Sequence, residues 1–273
     1  MSDADDPGDG PDPGDSPDPD AGSTTDDRDP ATVAAAGPET EVATRATERP
    51  VRAVGIGPGD PEYLTPRGER AIREADVVVG FETVVAFVQG RTDADLLTCG
   101  YADEAATLEG FAERVADGER GTAVLMGDPN HSGYQFVGKV EAAVDRPVTV
   151  VPGISSLQVA ASRARTPMEA ATFVTLHKRG GIDADLQRLR EAVGRRHLLV
   201  LPRPYDWMPG DVAATLVNAG AAASLEALVF ERLTHDDERV TRTSLGDLAD
   251  DAGGESASDS RFSDLSVLVV RAD

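Results

Sequence analysis

The stretch Val51-Arg52-Ala53-Val54-Gly55-Ile56-Gly57-Pro58-Gly59-Asp60-Pro61 decides how the rest of this 273-residue chain is read. It begins as a short apolar strand and breaks at once into a glycine loop. Glycine lets the main chain turn tightly and approach a ligand with no Cβ in the way. Just downstream, Thr65-Pro66 supplies an N-cap and a proline at the first helical position, opening a helix to about Ala75. Val77-Val78-Val79 is then a bare apolar run, which suits a parallel strand covered on both faces. The loop therefore reads as the strand-to-helix turn of an α/β unit, and in open parallel sheets ligands bind beyond the carboxyl ends of the strands. It is not a P-loop, because no Gly-Lys-Ser/Thr follows to reach β- or γ-phosphates. Nor does it fit a dinucleotide fingerprint: the spacing is G-x-G-x-G, and Pro58 and Pro61 delay the helix whose N-terminus would meet a pyrophosphate. Glu82 as the ribose-binding acid of that fingerprint carries little weight. On spacing alone the loop also reads as a plain tight turn.

Working outward, strands are expected at Asp95–Thr98, Thr122–Met126 and Val148–Val151, alternating with helices at Glu82–Gln89, Glu104–Asp117, Ser132–Val144 and Ser155–Arg163. The second half starts near Thr166-Pro167. It carries strands at Phe173–Leu176, His197–Leu201, Leu225–Glu231, Arg239–Ser244 and Leu265–Val270, with helices at Asp185–Val193 and Asp211–Ala219. Strands are denser there, so antiparallel pairing is expected. Asp250–Ser260 reads as a loop or hairpin insertion. The fold class is α/β, in two α/β domains at 49–165 and 166–273. Residues 1–48 read as a disordered acidic tail rich in Asp, Pro, Gly and Ser, unable to bury enough apolar surface to offset the entropy of ordering.

The formal charge of the whole chain is -23, from 49 acidic and 26 basic side chains. Fourteen acids and three basic residues fall between Met1 and Arg49. That balance argues against a nucleic-acid partner and against an anionic membrane surface. Lys139 and Lys178 are the only lysines, and an acid-rich, lysine-poor chain suits a proteome adapted to high salt. Cys99 is the only cysteine, which excludes an intrachain disulfide. No basic-then-apolar leader is visible in the first thirty residues, and no apolar stretch approaches the ~20 residues of a membrane span, so a cytoplasmic protein is expected.

Two more loops follow expected strands: Gly127-Asp128-Pro129 after Met126, and Pro152-Gly153-Ile154-Ser155-Ser156 after Val151. Each alone reads as a strand-to-helix turn with an Asp or Ser cap. Three such turns at the ends of parallel strands point to one crevice offering main-chain groups, hydroxyls and a carboxylate. That set suits a polar nucleoside ligand without a triphosphate. The histidines (His131, His177, His197 and His235) lack zinc-type spacing, so no protein-bound metal is expected.

In order and spacing these three motifs resemble the tetrapyrrole (corrin/porphyrin) methyltransferase family. Thr65-Pro66-Arg67-Gly68 through Val79 is similar to the helix and strand that follow its first loop. Within the family the chain most resembles the cobalt-precorrin-7 C5-methyltransferases of vitamin B12 synthesis, through Pro152–Gln158, Phe173-Val174-Thr175-Leu176-His177-Lys178-Arg179, and Glu231-Arg232-Leu233-Thr234 to Val240. The likeness spans about residues 51–271. It departs at Asn130-His131-Ser132-Gly133-Tyr134, where a glycine and aromatic run is usual, and at His177-Lys178-Arg179, where His-Gly-Arg is usual.

The resemblance implies a cofactor cleft between the two domains and S-adenosylmethionine as methyl donor. Cofactor-lining positions then fall on Pro58, Met126, Gly127, Asp128, His131, Ser155 and Ser156, with looser matches at Pro202 and Leu233. Asp60 matches an acidic residue at the methyl-transfer site, either as a base or as a residue that fixes the turn. The substrate would be a cobalt-bearing tetrapyrrole with many carboxylates. Lys178 and Arg179 beside a strand end are its candidate contacts, with Arg163, Arg165 and Arg203 as further basic residues. A homodimer is the family's common state. The resemblance carries no appended C15-methylating, decarboxylating domain, so a separate partner enzyme would supply that activity. Other readings are a methylase acting at another ring carbon, a diphthine synthase, a noncatalytic nucleoside-binding protein on this scaffold, and a dinucleotide-dependent oxidoreductase.

Overall fold

The computed structural model of the chain describes residues 49–131, 133–178, 180–204, 206–253 and 260–272. The expected tail at 1–48 and most of the Asp250–Ser260 insertion lie outside the described residues.

The first half runs β1 (Val51–Gly55), α1 (Pro66–Arg73), β2 (Val77–Phe81), α2 (Glu82–Val88), β3 (Asp95–Cys99), α3 (Glu104–Ala116), β4 (Gly121–Leu125), α4 (Tyr134–Ala143), β5 (Val148–Val151) and α5 (Ser156–Ala164). Its five strands form one parallel sheet in the order β3-β2-β4-β1-β5, with β1 hydrogen-bonded between β4 and β5. Successive strand residues point to opposite faces, and both faces are covered. Val51, Ala53, Val77, Val79, Ala123 and Leu125 pack with Leu108, Phe111 and Val115 of α3 and Phe136, Val137 and Val140 of α4. Val54, Val78 and Val124 point the other way, into Ala71 and Ile72 of α1 and Val84, Val85 and Val88 of α2. This is why the strands read as bare apolar runs rather than alternating ones. The Thr65 hydroxyl accepts the Gly68 N–H at 3.1 Å, so the anticipated cap of α1 is in place.

The second half runs β6 (Ala171–Thr175), α6 (Asp183–Ala192), β7 (His197–Leu201), α7 (Pro209–Asn218), β8 (Glu226–Glu231), β9 (Arg239–Ser244), α8 (Leu245–Ala249) and β10 (Ser266–Val270). The sheet order is β6-β7-β10-β8-β9, parallel only between β6 and β7, so the expected antiparallel pairing is present. One face buries Val174, Leu198, Val200, Val229 and Leu268 under α6, α7 and α8. The other face carries Leu199, Leu228, Phe230, Val267 and Val269, and what covers it is α5. Leu157, Val159, Ala160, Ala161 and Ala164 of α5 lie in that core, so the helix preceding residue 166 packs with the strands that follow it.

The anticipated elements occur within two residues of their expected bounds. Beyond them the chain forms α8, a single turn capped by the Ser244 hydroxyl on the Asp247 N–H at 3.1 Å, and 3-10 turns at Pro61–Tyr63 and Met168–Ala170. Cys99 is buried in the first sheet's core, and that burial pushes its thiol up to about 11.

Candidate functional site

Because β1 lies between β4 and β5, the turns leaving the carboxyl ends of these three strands are neighbours. They touch main chain to main chain. Gly127 donates its N–H to the Gly57 carbonyl at 2.8 Å and accepts the Gly57 N–H at 3.3 Å. Asp128 is buried, and its Oδ2 accepts the Gly153 N–H at 3.1 Å while Oδ1 accepts from the Asn130 main chain at 2.8 Å and side chain at 3.1 Å. Asp128 is thus the clasp between the second and third turns. A Cβ on Gly55 would lie 2.5 Å from the Gly127 carbonyl oxygen, and one on Gly153 would lie 2.2 Å from it. These glycines are required so that the turns can approach one another. The sequence reading had assigned that freedom to approach by a ligand.

The third turn opens α5 with a full capping box. The Ser155 hydroxyl accepts the Leu157 N–H at 3.2 Å, and Gln158 Oε1 accepts the Ser155 N–H at 2.8 Å. Ser155 is buried by this arrangement and Ser156 is half-buried as the first helical residue.

The second half meets the first two turns from the opposite side. The Asp60 N–H donates to Thr234 Oγ1 at 3.0 Å, and the Asp60 carboxylate accepts the Glu62 N–H at 2.8 Å, capping a 3-10 turn at Pro61–Tyr63. A Cβ on Gly59 would fall 2.3 Å from His235 Nε2, and the Phe87 ring of α2 meets the same imidazole edge-on at 5.8 Å. His131, in the second turn, stacks on Phe173 of β6 with ring centroids 6.2 Å apart. Phe173 and Thr175 share one face of β6, the face turned toward α5.

Pro58, Gly127, Asp128 and Ser155 are therefore brought together and buried, with Met126 and His131 half-buried beside them. Leu233 is buried next to Thr234, in the core beneath α5. Pro202 is buried just past β7. Lys178 follows β6, and its ammonium pairs with Asp185 of α6 at 2.5 Å. Arg179 lies outside the described residues. Two of the other basic candidates are paired, and the third serves through its main chain. Arg163 pairs with Glu238, Arg203 grips Asp206 through two bonds of 2.8 and 2.6 Å, and Arg165 caps α5 in the left-handed region with φ 56°. Among the described residues, no group of three or more His, Cys, Asp or Glu side chains is arranged to hold a metal ion.

Two polar atoms at this seam are buried with no hydrogen-bond partner: His131 Nδ1 and Thr175 Oγ1. An unanswered buried donor or acceptor is costly, about 1–3 kcal/mol each, and such atoms fit a ligand that carries complementary polar groups. With the main chain of three turns they fit the polar groups of a nucleoside. Thr175, Thr234 and His235 escaped the sequence reading as site residues. The polar Thr175 closing the strand Ala171–Thr175 was a legible sign. The meeting of Thr234 and His235 with the first turn is tertiary and left no local mark.

The sequence pattern of the tetrapyrrole (corrin/porphyrin) methylases matches residues 50–249. A probable cobalt-precorrin-7 C(5)-methyltransferase of Methanocaldococcus jannaschii is 29% identical over 222 residues, spanning 81% of this chain and 97% of that protein. A siroheme synthase of Methylococcus capsulatus is 31% identical over 232 residues, which is 76% of this chain and 48% of that longer protein. The crystal structure of a uroporphyrin-III C-methyl transferase from Thermus thermophilus, complexed with S-adenyl homocysteine, aligns with a TM-score of 0.61 at 21% identity over 82% of this chain and 92% of that one. At that identity the likeness is one of fold.

Proposed function

The chain belongs to the tetrapyrrole (corrin/porphyrin) methylases, and from that premise we propose that it methylates C5 of cobalt-precorrin-7, a cobalt-bearing tetrapyrrole, with S-adenosylmethionine as donor. What supports the donor is the meeting of three turns through Gly57–Gly127 and Asp128–Gly153, beside the unanswered His131 Nδ1 and Thr175 Oγ1. What supports the substrate is the likeness to the Methanocaldococcus jannaschii protein.

S-adenosylmethionine supplies a methyl already activated by a positive sulfur, so the protein needs no strong nucleophile of its own. Transfer would break the sulfur–methyl bond as the bond to the ring carbon forms, and the chain would have to accept the proton that this carbon then gives up. The chain's task is to hold donor and carbon about 3–3.5 Å apart and in line. Pro58, Met126, Gly127, Asp128, His131, Ser155 and Ser156 would line the adenosyl side, Pro202 and Leu233 the side contributed by the second half. His131 Nδ1 and Thr175 Oγ1 would hydrogen-bond it. Asp60 would take up the proton or balance the positive charge, its carboxylate oriented by the Glu62 N–H. Lys178 and Arg179 would meet substrate carboxylates, Lys178 after loosening its pair with Asp185.

An anaerobic assay with cobalt-precorrin substrates and a labelled methyl donor tests this, with the label expected at C5. Label at another carbon would remove the substrate assignment and leave the methylase. The likeness to a siroheme synthase favours one alternative, methylation of a tetrapyrrole precursor of siroheme, and the same assay with such a precursor decides it.

A further inference from the structure

The loop Arg232–Glu238, which follows β8, holds an unusual backbone. Arg232 has φ 49° and Thr234 has φ 70°. A β-branched residue in the left-handed region is a genuine outlier that persists only where its surroundings over-determine it. Glycine or asparagine would take that conformation more readily, but glycine has no hydroxyl. The conformation presents both polar groups of Thr234 to partners. Its Oγ1 accepts the Asp60 N–H at 3.0 Å, and its own N–H donates to Glu238 Oε2 at 2.7 Å. The other carboxylate oxygen of Glu238 pairs with Arg163. Arg163 stands near the end of α5, the helix that starts at the third turn and is capped by Ser155.

These contacts close a circuit. It runs from the third turn along α5 to Arg163, across to Glu238 and Thr234, and back to Asp60 in the first turn. We propose that Arg163, Glu238 and Thr234 form a brace by which the second half fixes the first glycine turn against the third, making Thr234 a positioning residue for methyl-donor binding. The brace rests on the reading of the site given above and adds residues that reading does not use. Thr234 and Glu238 act through Asp60 and the turn it ends, not by touching the donor.

The test compares Thr234→Ala, Thr234→Ser and Glu238→Gln with the unaltered full-length chain. Two readouts are taken: amide hydrogen exchange of the Gly59–Glu62 segment without ligand, and affinity for S-adenosylhomocysteine by calorimetry. Thr234→Ala removes the hydroxyl and the β-branch together. A brace predicts about 5-fold faster exchange at the Asp60 amide and about 5-fold weaker affinity, together with a lower melting temperature, because alanine keeps a Cβ in the left-handed region and leaves the Asp60 N–H unanswered. Thr234→Ser, which keeps the hydroxyl, restores both. Glu238→Gln shifts both in the same direction by a smaller factor. A merely structural threonine would also lower the melting temperature but would leave affinity alone. Unchanged exchange at Asp60 in Thr234→Ala, or unchanged affinity despite faster exchange, overturns the brace. If the unaltered chain shows no saturable binding, the donor site falls instead, and the exchange data alone then judge the brace.

Discussion

The turn after β1 and the loop after β8 press against each other, and they reach positive φ by opposite means. The turn uses Gly57 at φ 91° and Gly59 at φ 147°, while the loop uses Arg232 at φ 49° and Thr234 at φ 70°. In the turn, the constraint is space. Tyr63 stands 3.1 Å from where a Cβ on Gly57 would lie, and the ring of His235 lies where a Cβ on Gly59 would stand. In the loop the constraint is chemistry, since a hydroxyl is needed at that point to answer the Asp60 N–H. Steric crowding leaves glycine as the only solution, whereas a required functional group tolerates strain and holds it with hydrogen bonds.

The largest effect should come where backbone meets backbone. Gly153→Ala sets a Cβ 2.2 Å from the Gly127 carbonyl oxygen, with no flexible atom to give way. A loss of about 3 kcal/mol in urea unfolding is expected, at the upper end of overpacking penalties. Gly59→Ala is an intermediate case, because the obstacle is the His235 ring 2.3 Å away, which can swing aside. About 1–2 kcal/mol is expected, and the double variant with His235→Ala should recover part of it in a thermodynamic cycle. Thr234→Gly should have the smallest effect on stability. Release of left-handed strain opposes the lost hydrogen bond and the freer unfolded chain, leaving a net change within about 1 kcal/mol. If Gly153→Ala proved milder than Thr234→Gly in the same denaturation series, the contrast between crowding and chemistry would not stand.

The fold was legible for a physical reason. Parallel strands covered on both faces must be apolar at every position, so Val77-Val78-Val79 and Gly121–Leu125 announce themselves without alternation. Helix starts were legible where caps are local, as at Thr65-Pro66 and at Ser155 with Gln158. The helix Leu245–Ala249 was not, because five residues are too few to show a period. At the site, the convergence of the three turns followed from their places at strand ends. The use of their glycines did not follow, since a sequence records that a Cβ is missing but not what stands in its place. The loop after β8 was opaque for the opposite reason. Nothing in Arg-Leu-Thr-His signals positive φ, because the surrounding contacts override the local preference there. Lys178 looked like a free cation beside a strand end until Asp185, seven residues on, was found paired with it.

The seating of α5 has a consequence for how the molecule can be divided. Its apolar side lies among Leu199, Leu228, Phe230, Val267 and Val269, on strands that come later in the chain than the helix itself. Severing the chain after residue 165 would give an upstream fragment with a greasy rib in water and a downstream fragment with an uncovered floor. Because the rib's buried residues lie in the second sheet's core and in neither core of the first, a cut ahead of residue 152 is expected to spare both lobes better than one after residue 165.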